Sequence, residues 1–405
     1  MENFLLYQYI ITSLSILFLI NFIINNILFK NIANYLLPES FKKSPPLVSI
    51  LVPARNEAAN IKRCVRSLLK QDYPNTEIIV LDDNSDDNTS LIVKKLAAEN
   101  SKLKLIAGKP LKSGWLGKCY ACYQLAKHAK GEYLVFTDAD TLHFKNSVSS
   151  AIGCLVSNKL DALSAIPRQI MVTLHERMVV SWTHFGIMTL LPLIMVKKSK
   201  NPLFATANGQ FLLFKRKVYE KIGGHESIKA KVLEDIHIAK QVKRCGYRMM
   251  VFDGSTNIYC RMYRNFMDLI RGFSKFMYAA FDFKIFTMTF VVLFILAIFL
   301  SPFILLPLGI LVFEWSRAVI GLLIIQIFAV LVIRTILAIR LKSRVIDVFL
   351  HPLSTVYIVL ICINSVLQVK FGEGVCWKGR RYDVSSGDYL GLIDDEEVDK
   401  LSKSH

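Results

Sequence analysis

Two aspartates spaced one residue apart, Asp138 and Asp140, end the apolar run that begins after Glu132. On a strand, residues i and i+2 point to the same side, so both carboxylates can face one point in space. Such oxygens suit a hard divalent cation, Mg²⁺ or Mn²⁺, which would in turn hold the phosphates of a bound nucleotide. The alternative is a strand-end turn whose aspartates cap the next helix.

A second carboxylate pair, Glu234 and Asp235, opens a predicted helix with Ile236, Ala239 and Val242 on its apolar side. Carboxylates are favoured in the first turn of any helix, so capping is one interpretation of this pair. The other is that Asp235 is a general base held at a crevice.

The segment from Asp82 to Thr89 is acidic, which suits hydrogen bonding to a base or ribose better than contact with phosphate. We therefore expect Asp83 to bind a ligand, although a helix-capping loop is the alternative. Lys118 follows Gly114-Trp-Leu-Gly at a predicted helix start, where a lysine opposes the helix dipole unless an anion lies nearby. It is interpreted as a phosphate or diphosphate contact, or else as a solvated surface lysine.

The segment Arg261-Met-Tyr-Arg264 adds cations where an anionic leaving group could be held. A second basic segment, Trp377-Lys-Gly-Arg380, looks like a site element. No G-x-G-x-x-G follows the first predicted strand and no G-x-x-x-x-G-K-[ST] occurs, so neither a dinucleotide fold nor a P-loop is supported.

These candidate residues follow elements in which strands alternate with helices, which predicts an α/β domain with a doubly wound, largely parallel sheet. The predicted strands are 47–52, 77–81, 103–107, 211–214 and a strand ending at Phe252, and the predicted helices include 90–98 and 118–130. In such sheets ligands lie beyond the carboxyl ends of the strands, so we expect the polar strand ends to line one crevice.

Composition indicates membrane segments, because 53% of the residues are hydrophobic and the mean hydropathy is +0.39. The run Phe4–Phe29 is long enough to cross a bilayer, and three more apolar stretches follow the domain: 285–313, 318–339 and 345–367. The net charge of +18 then favours an anionic membrane face or an anionic nucleotide over nucleic acid as the partner. A further apolar stretch, Val179–Val196, is interpreted as a core or interface-lying helix.

Lysines after the first apolar run, Lys30, Lys42 and Lys43, predict a cytoplasmic domain in a multi-pass membrane protein. Three crossings after that domain would leave the tail outside the cell, yet the tail segment 377–382 looks like a site element. Either one stretch lies in the interface, most readily around Asp347–Pro352, or the proline-broken stretch 285–313 forms a hairpin.

Four segments in order resemble the GT-A glycosyltransferases of family 2. They are Val48-Ser-Ile-Leu-Val-Pro-Ala-Arg-Asn-Glu57, Leu81-Asp-Asp-Asn-Ser-Asp-Asp-Asn-Thr89, Thr137-Asp-Ala-Asp140 and Glu234-Asp235. The stretch Gly114–Gln124, with Arg261-Met-Tyr263, Gly272-Phe-Ser-Lys275, His351-Pro352 and Trp377-Lys-Gly-Arg380, is similar to the membrane-bound branch with the diaponeurosporenoate and hopanoid-associated glycosyltransferases.

The resemblance implies a Rossmann-like mixed sheet, a UDP-linked nucleotide sugar as donor, and a lipid acceptor such as a carotenoid or hopanoid. Carried over by position, Pro53, Ala54 and Glu57 would border the nucleoside and Asp83 would contact uridine. Asp138 would serve the sugar diphosphate, Asp140 the metal, and Asp235 would be the base of an inverting transfer. Possible diphosphate or acceptor contacts are Glu234, Arg261, Arg264, Trp377 and Arg380.

The expected division of the chain is an N-terminal helix (1–30), a GT-A domain (45–275), C-terminal membrane helices (284–368) and a soluble tail (369–405). No Q-x-x-R-W follows the predicted base, which disfavours processive polymer synthesis. The alternatives are transfer to polyprenyl phosphate or a glycerolipid, and a non-catalytic membrane protein that binds a nucleotide sugar.

Overall fold

The computed structural model describes residues 2–371, 375–378, 380–383 and 391–392. They fall into two compact units. The sheet unit comprises residues 29–170, 195–262 and those from 371 onward, and the helical unit comprises residues up to 28, 171–194 and 263–370. Each unit is assembled from separated stretches of chain, which a division of the sequence into consecutive segments does not reveal.

The strands are β1 Val48–Ala54, β2 Thr76–Asp82, β3 Leu103–Ala107, β4 Tyr133–Thr137, β5 Thr141–His143, β6 Ala162–Ile166, β7 Arg168–Gln169, β8 Phe211–Lys215, β9 Met249–Asp253, β10 Ile258–Cys260, β11 Val375–Trp377, β12 Arg380–Asp383 and β13 Gly391–Leu392. The α-helices are α1 Glu2–Leu28, α2 Glu39–Lys43, α3 Ile61–Leu68, α4 Thr89–Ala98, α5 Gly117–His128, α6 Ser147–Ser157, α7 Leu174–Leu190, α8 Leu193–Lys198, α9 Arg216–Lys221, α10 Glu234–Arg244, α11 Phe266–Met277, α12 Ile285–Ile295, α13 Ser301–Leu311, α14 Arg317–Arg340 and α15 His351–Phe371.

The sheet unit is built on a seven-stranded mixed sheet in the order β3-β2-β1-β4-β8-β6-β9. Strands β3, β2, β1 and β4 are parallel to one another, β8 is antiparallel to both of its neighbours, and β6 and β9 are parallel. β1 is almost wholly buried because α-helices cover both faces of a parallel sheet, which explains its continuous apolar run. The four parallel strands therefore end at one edge of the sheet.

Two smaller sheets lie beside this edge. In the first, β5 pairs antiparallel with β10 and β10 pairs parallel with β7. β5 begins directly after Asp140, so the chain turns from the central sheet into the small sheet at the aspartate pair. In the second sheet, β12 pairs antiparallel with β11 and with β13, which gives the tail a hairpin that local periodicity did not predict.

The helical unit contains four helices long and apolar enough to cross a membrane: Glu2–Leu28, Ile285–Leu311, Arg317–Arg340 and Val345–Phe371. The hairpin considered for the second of these is wrong. The chain passes from α12 through a π-helical turn into α13, with Pro302 directly after that turn and Pro307 inside α13, so both prolines are accommodated in one continuous helical path. The stretch predicted from Val179 is largely α7, whose buried side chains face the other helices of this unit.

Candidate active site

The ends of β1, β2 and β4 bring three polar segments together in the sheet unit. Ala54 lies opposite Asp82 in the parallel ladder, and the Asp83 N–H donates to the Ala54 carbonyl at 2.8 Å. Pro53 and Ala54 thus form the end of β1 beside Asp83, and their contact with a nucleoside stays a prediction.

Asp83 is 2% exposed and accepts from the tail residue Arg380. Arg380 Nη1 lies 2.5 Å from Asp83 Oδ2, and Nη2 lies 3.1 Å from Oδ1. Burial raises the pKa of Asp83, and the guanidinium opposes that rise. The Tyr382 hydroxyl, on the same strand as Arg380, accepts from the Gly117 N–H at the start of α5. The tail strand β12 is therefore attached to two parts of the candidate site.

Glu57 is held by a second tail cation, because Lys378 Nζ lies 2.8 Å from Glu57 Oε1. The neighbouring Arg55 donates through Nη1 to the carbonyls of Asp83 and Asn84, at 2.7 and 2.5 Å, and through Nε to the Lys378 carbonyl at 2.9 Å. Sequence reasoning missed Arg55 and Lys378 as members of this cluster. A cation directly after Pro53-Ala54 was the available signal for Arg55.

Lys118 joins the aspartate pair to the helix-start pair. Its Nζ lies 2.8 Å from Asp138 Oδ1 and 2.7 Å from Glu234 Oε1. Burial alone would lower the pKa of Lys118, but the two carboxylates raise it well above its ordinary value. Burial raises the pKa of Asp138, and Lys118 opposes the rise. Lys118 is thus ion-paired rather than a solvated surface lysine, and its contact with a phosphate stays a prediction.

Asp235 is fixed by two backbone N–H groups. Its Oδ2 accepts from Gly209 and its Oδ1 from Ile236, each at 2.8 Å. Burial and the adjacent Glu234 charge nevertheless raise the pKa of Asp235 to about 7, against the opposing effect of Lys118. A carboxylate with this pKa is half ionised at neutral pH, which suits a general base.

Gly209 allows these groups to approach one another. A Cβ at this position would lie 3.2 Å from both Glu234 Oε1 and Lys118 Nζ. Any other residue here would require the lysine or the glutamate to give way by a few tenths of an ångström, so Gly209 favours their close approach.

Asp140 is the second member of the aspartate pair formed with Asp138. Burial and the charges of Asp138 and Glu57 raise its pKa to about 7, and its buried Oδ1 has no hydrogen-bond partner among the residues that the structure describes. A buried acceptor without a donor is a place where a cation fits. In the described part of the chain, no group of three or more His, Cys, Asp or Glu side chains is arranged to hold a metal. Two carboxylates together with substrate phosphates are nevertheless a common Mg²⁺ arrangement.

The two predicted basic segments are only partly placed at this site. Arg261 directly follows β10, whose Cys260 pairs with Thr141 next to Asp140. Arg264 belongs to the helical unit. The Trp377 backbone forms the end of β11 opposite Arg380, while its side chain lies outside the described atoms.

Comparison with known proteins agrees with this geometry. Residues 49–223 match the model of glycosyl transferase family 2. Two relatives are named 4,4'-diaponeurosporenoate glycosyltransferase: that of Staphylococcus haemolyticus is 26% identical over 231 residues, and that of Staphylococcus aureus is 24% identical over 356 residues. The first alignment covers 56% of this chain and 60% of the relative, and the second covers 84% and 88%. This chain therefore spans less than two thirds of the first relative.

Among solved structures, the mannosyltransferase PcManGT from Pyrobaculum calidifontis, in complex with GDP-Man and Mn²⁺, aligns over 88% of this chain and 98% of its own. The TM-score is 0.50 at 17% identity, so this likeness concerns the fold. The mixed sheet expected from the GT-A resemblance is confirmed.

Proposed function

Since this chain is a family 2 glycosyltransferase with the GT-A fold, we propose that it moves a sugar from a nucleotide diphosphate sugar to a membrane lipid. One observation carries the proposal. Lys118 bridges Asp138, at the predicted diphosphate position, to Glu234, which adjoins the predicted base Asp235. A donor and an acceptor hydroxyl can meet only where these two sets of groups converge.

The nucleoside is assigned to the groups around Asp83, with Pro53, Ala54 and Glu57 at the border of its site. A nearly buried carboxylate can accept an N–H from a nucleobase such as uracil, and a site built for that bond discriminates between bases. The PcManGT complex contains GDP-Man, which supports a nucleotide diphosphate sugar as the donor class. We propose UDP as the nucleotide.

A divalent cation, Mg²⁺ or Mn²⁺, fits Asp138 and Asp140. Asp140 offers a buried oxygen that has no hydrogen-bond partner within the described ranges, and the two carboxylates leave the remaining ligand positions to phosphate oxygens. The PcManGT complex contains Mn²⁺. When bound, such a cation would neutralise charge on the departing diphosphate.

The residues of this chain would carry out the rest of the reaction. Asp235 takes the proton from an acceptor hydroxyl, or orients an acceptor carboxylate that is already ionised, while the acceptor oxygen attacks the anomeric carbon. The bond from that carbon to the diphosphate oxygen breaks on the opposite face, so the configuration inverts. Lys118 holds the diphosphate as its negative charge grows, and we assign Arg261, which belongs to the same unit, to this charge as well.

The acceptor is proposed to be a lipid such as a carotenoid or another isoprenoid. Four helices of this chain have the length and composition of membrane spans, and both named relatives refer in their names to a carotenoid acid, diaponeurosporenoate. The protein is then a multi-pass membrane protein, with a cytoplasmic sheet unit as the lysines after α1 predict.

The test is transfer by the purified full-length protein in vesicles supplied with radiolabelled UDP-glucose, Mn²⁺ and one acceptor at a time. Carotenoid acids, hopanoids, polyprenyl phosphate and diacylglycerol form the four arms, and Asp235→Asn provides the inactive control. A hexosylated carotenoid or hopanoid that is absent from the control supports the proposal. If product formed only with polyprenyl phosphate or diacylglycerol, that lipid would replace the carotenoid or other isoprenoid as the proposed acceptor. Hydrolysis of UDP-glucose without lipid product in any arm would overturn lipid transfer.

A further inference from the structure

The directions of the long helices in the helical unit follow from side-chain contacts, beginning with those between α14 and α1. Gln326 Nε2 on α14 donates to Gln8 Oε1 at 3.0 Å and to Thr12 Oγ1 at 2.8 Å. Fourteen residues further along α14, Arg340 Nη1 donates to the Asn26 carbonyl at 2.7 Å. Helices α1 and α14 are therefore parallel. We call the end of this bundle that contains Leu28, where the chain continues to residue 29, the junction end.

The continuous helix Ile285–Leu311 runs the opposite way. After it, the turn before α14 places the Trp315 ring 4.6 Å from the Phe4 ring, at the far end of α1. Halfway along, the Phe299 ring lies 6.0 Å from that of Phe18. At about 1.5 Å per residue, both this helix and α14 exceed the 30 Å of a bilayer core. Together they take the chain to the far end and return it to the junction end.

Helix α15 begins in the middle of the bundle. The His351 ring lies 6.3 Å from Phe299, 5.8 Å from Phe303 and 5.0 Å from Phe185. Phe299 is level with Phe18, which is about ten residues, or roughly 15 Å, from the end of α1. The first residue of α15 thus lies at about half the depth of a membrane.

From that depth α15 runs back to the junction end. One turn after His351, Thr355 accepts from Trp182 Nε1 at 3.3 Å. Near the helix C-terminus, Ser365 accepts from the Tyr278 N–H at 2.9 Å, and its hydroxyl donates to the Ser274 carbonyl. Because Ser274 and Tyr278 precede Ile285, they lie at the junction end of the bundle.

The residues that lead into α15 make polar contacts within the protein and present apolar side chains outward, as a segment that enters the membrane requires. The 3₁₀-helix Val345–Leu350 descends from the end of α14, and its Asp347 Oδ2 lies 2.9 Å from Arg177 Nε on α7. Val345, Ile346 and Phe349 are exposed apolar side chains, suited to lipid. Non-α-helical backbone is tolerated at membrane depth only where protein or water satisfies its polar groups.

We propose that residues 341–371 form a re-entrant segment that enters the membrane from the side of the sheet unit, turns at His351 and returns to that side. This rests on the proposed membrane anchoring. Only two of the three apolar helices after residue 262 then cross the bilayer, so the tail lies on the side of the sheet unit. The ion pairs Lys378–Glu57 and Arg380–Asp83, which are internal to the sheet unit, independently require the same side.

The experiment places single cysteines in the full-length protein and labels sealed membrane vesicles with an impermeant maleimide, before and after detergent. The background is Cys245→Ser with Cys376→Ser, because the other cysteines of the described chain are buried. Lys94→Cys on α4 reports the sheet unit, and Ser316→Cys, between α13 and α14, reports the far end; both positions are exposed. Arg344→Cys and Ser402→Cys report the two ends of the proposed segment.

We expect Arg344→Cys and Ser402→Cys to be labelled from the same side as Lys94→Cys. In vesicles that expose Lys94→Cys, we expect Ser316→Cys to be labelled at least tenfold less until detergent is added. Ser402→Cys and Arg344→Cys on opposite sides would show that α15 crosses, which overturns the re-entrant segment and leaves lipid glycosylation intact. Ser316→Cys on the side of Lys94→Cys would instead overturn the membrane anchoring on which the inference rests.

Discussion

Arg380 and Asp83 form a two-point ion pair across 297 residues of sequence, with separations of 2.5 and 3.1 Å. Asp83 directly follows the second strand of the central sheet, and Arg380 comes from a short strand in the tail. Burial of Asp83 raises its pKa, and the Arg380 guanidinium opposes that rise. We regard Arg380 as a residue that positions Asp83 for the donor.

Replacing Arg380 by Gln should raise the donor KM by about 10- to 100-fold, because a hydrogen bond to a charged group contributes about 1.5–3 kcal/mol. The donor KM of Arg380→Lys should lie between those of the wild type and Arg380→Gln, since lysine keeps the charge but cannot contact both oxygens. Steady-state kinetics in varied UDP-sugar measures this. Asp83→Asn combined with Arg380→Gln should cost little more than either change alone, whereas fully additive losses would contradict a shared role.

Asp235→Asn should lower kcat by at least about 10²–10⁴-fold and change the donor Kd less than about twofold, because the base acts on the acceptor. Asparagine keeps an oxygen for the Gly209 N–H. Isothermal titration with UDP-sugar and single-turnover transfer measure the two quantities. Asp161→Asn is the matched control, a partly buried aspartate paired with Lys215 at the opposite end of the sheet. A donor Kd that rises in proportion to the loss of kcat would reassign Asp235 to the donor.

The rate should fall as the pH drops below about 7. The pKa of Asp235 is raised to about 7, and only its ionised form accepts a proton, so kcat should decrease about tenfold per pH unit below that value. Lys118→Met removes a charge that holds this pKa down, so the acid limb should move to higher pH. Profiles are recorded at saturating donor and two saturating Mn²⁺ concentrations. If the acid limb of the profile moved when the Mn²⁺ concentration changed, it would report the ionisation of Asp140 instead of Asp235.

Gly209→Ala should reduce kcat by about tenfold or more, because the new Cβ lies 3.2 Å from both Lys118 Nζ and Glu234 Oε1 and must move one of them. About 1.4 kcal/mol in the transition state produces that factor. Gly321→Ala on α14 is the control, since no atom lies within 4 Å of its added Cβ. Equal activity of the two variants would show that the lysine bridge can relax without loss of turnover.

Asp140→Asn should raise the Mn²⁺ concentration for half-maximal activity by at least about tenfold, since loss of even an outer-shell partner has that effect. Titration of activity with Mn²⁺ after EDTA treatment measures it, with Asp161→Asn again as control. Activity that survives complete EDTA treatment of the wild-type protein would remove the cation from the proposal.

Local signals in the sequence predicted much of the sheet unit. The strand Leu103–Ala107 has the predicted bounds, and the polar ends of β1, β2 and β4 converge as parallel strands dictate. No local periodicity predicts that β8 inserts antiparallel between β4 and β6. The contacts of Lys378 and Arg380 could not be predicted either, because an ion pair across some 300 residues depends on the whole path of the chain. The roles of the individual site residues stay predictions.

The tail strand also has a consequence for biosynthesis. A ribosome must polymerise the four long apolar helices of the described chain before Arg380 leaves the exit tunnel, so the ion pair between Arg380 and Asp83 forms only after them. A nonsense codon shortly after α15 would yield a polypeptide that keeps these helices but whose buried Asp83 has no Arg380 beside it.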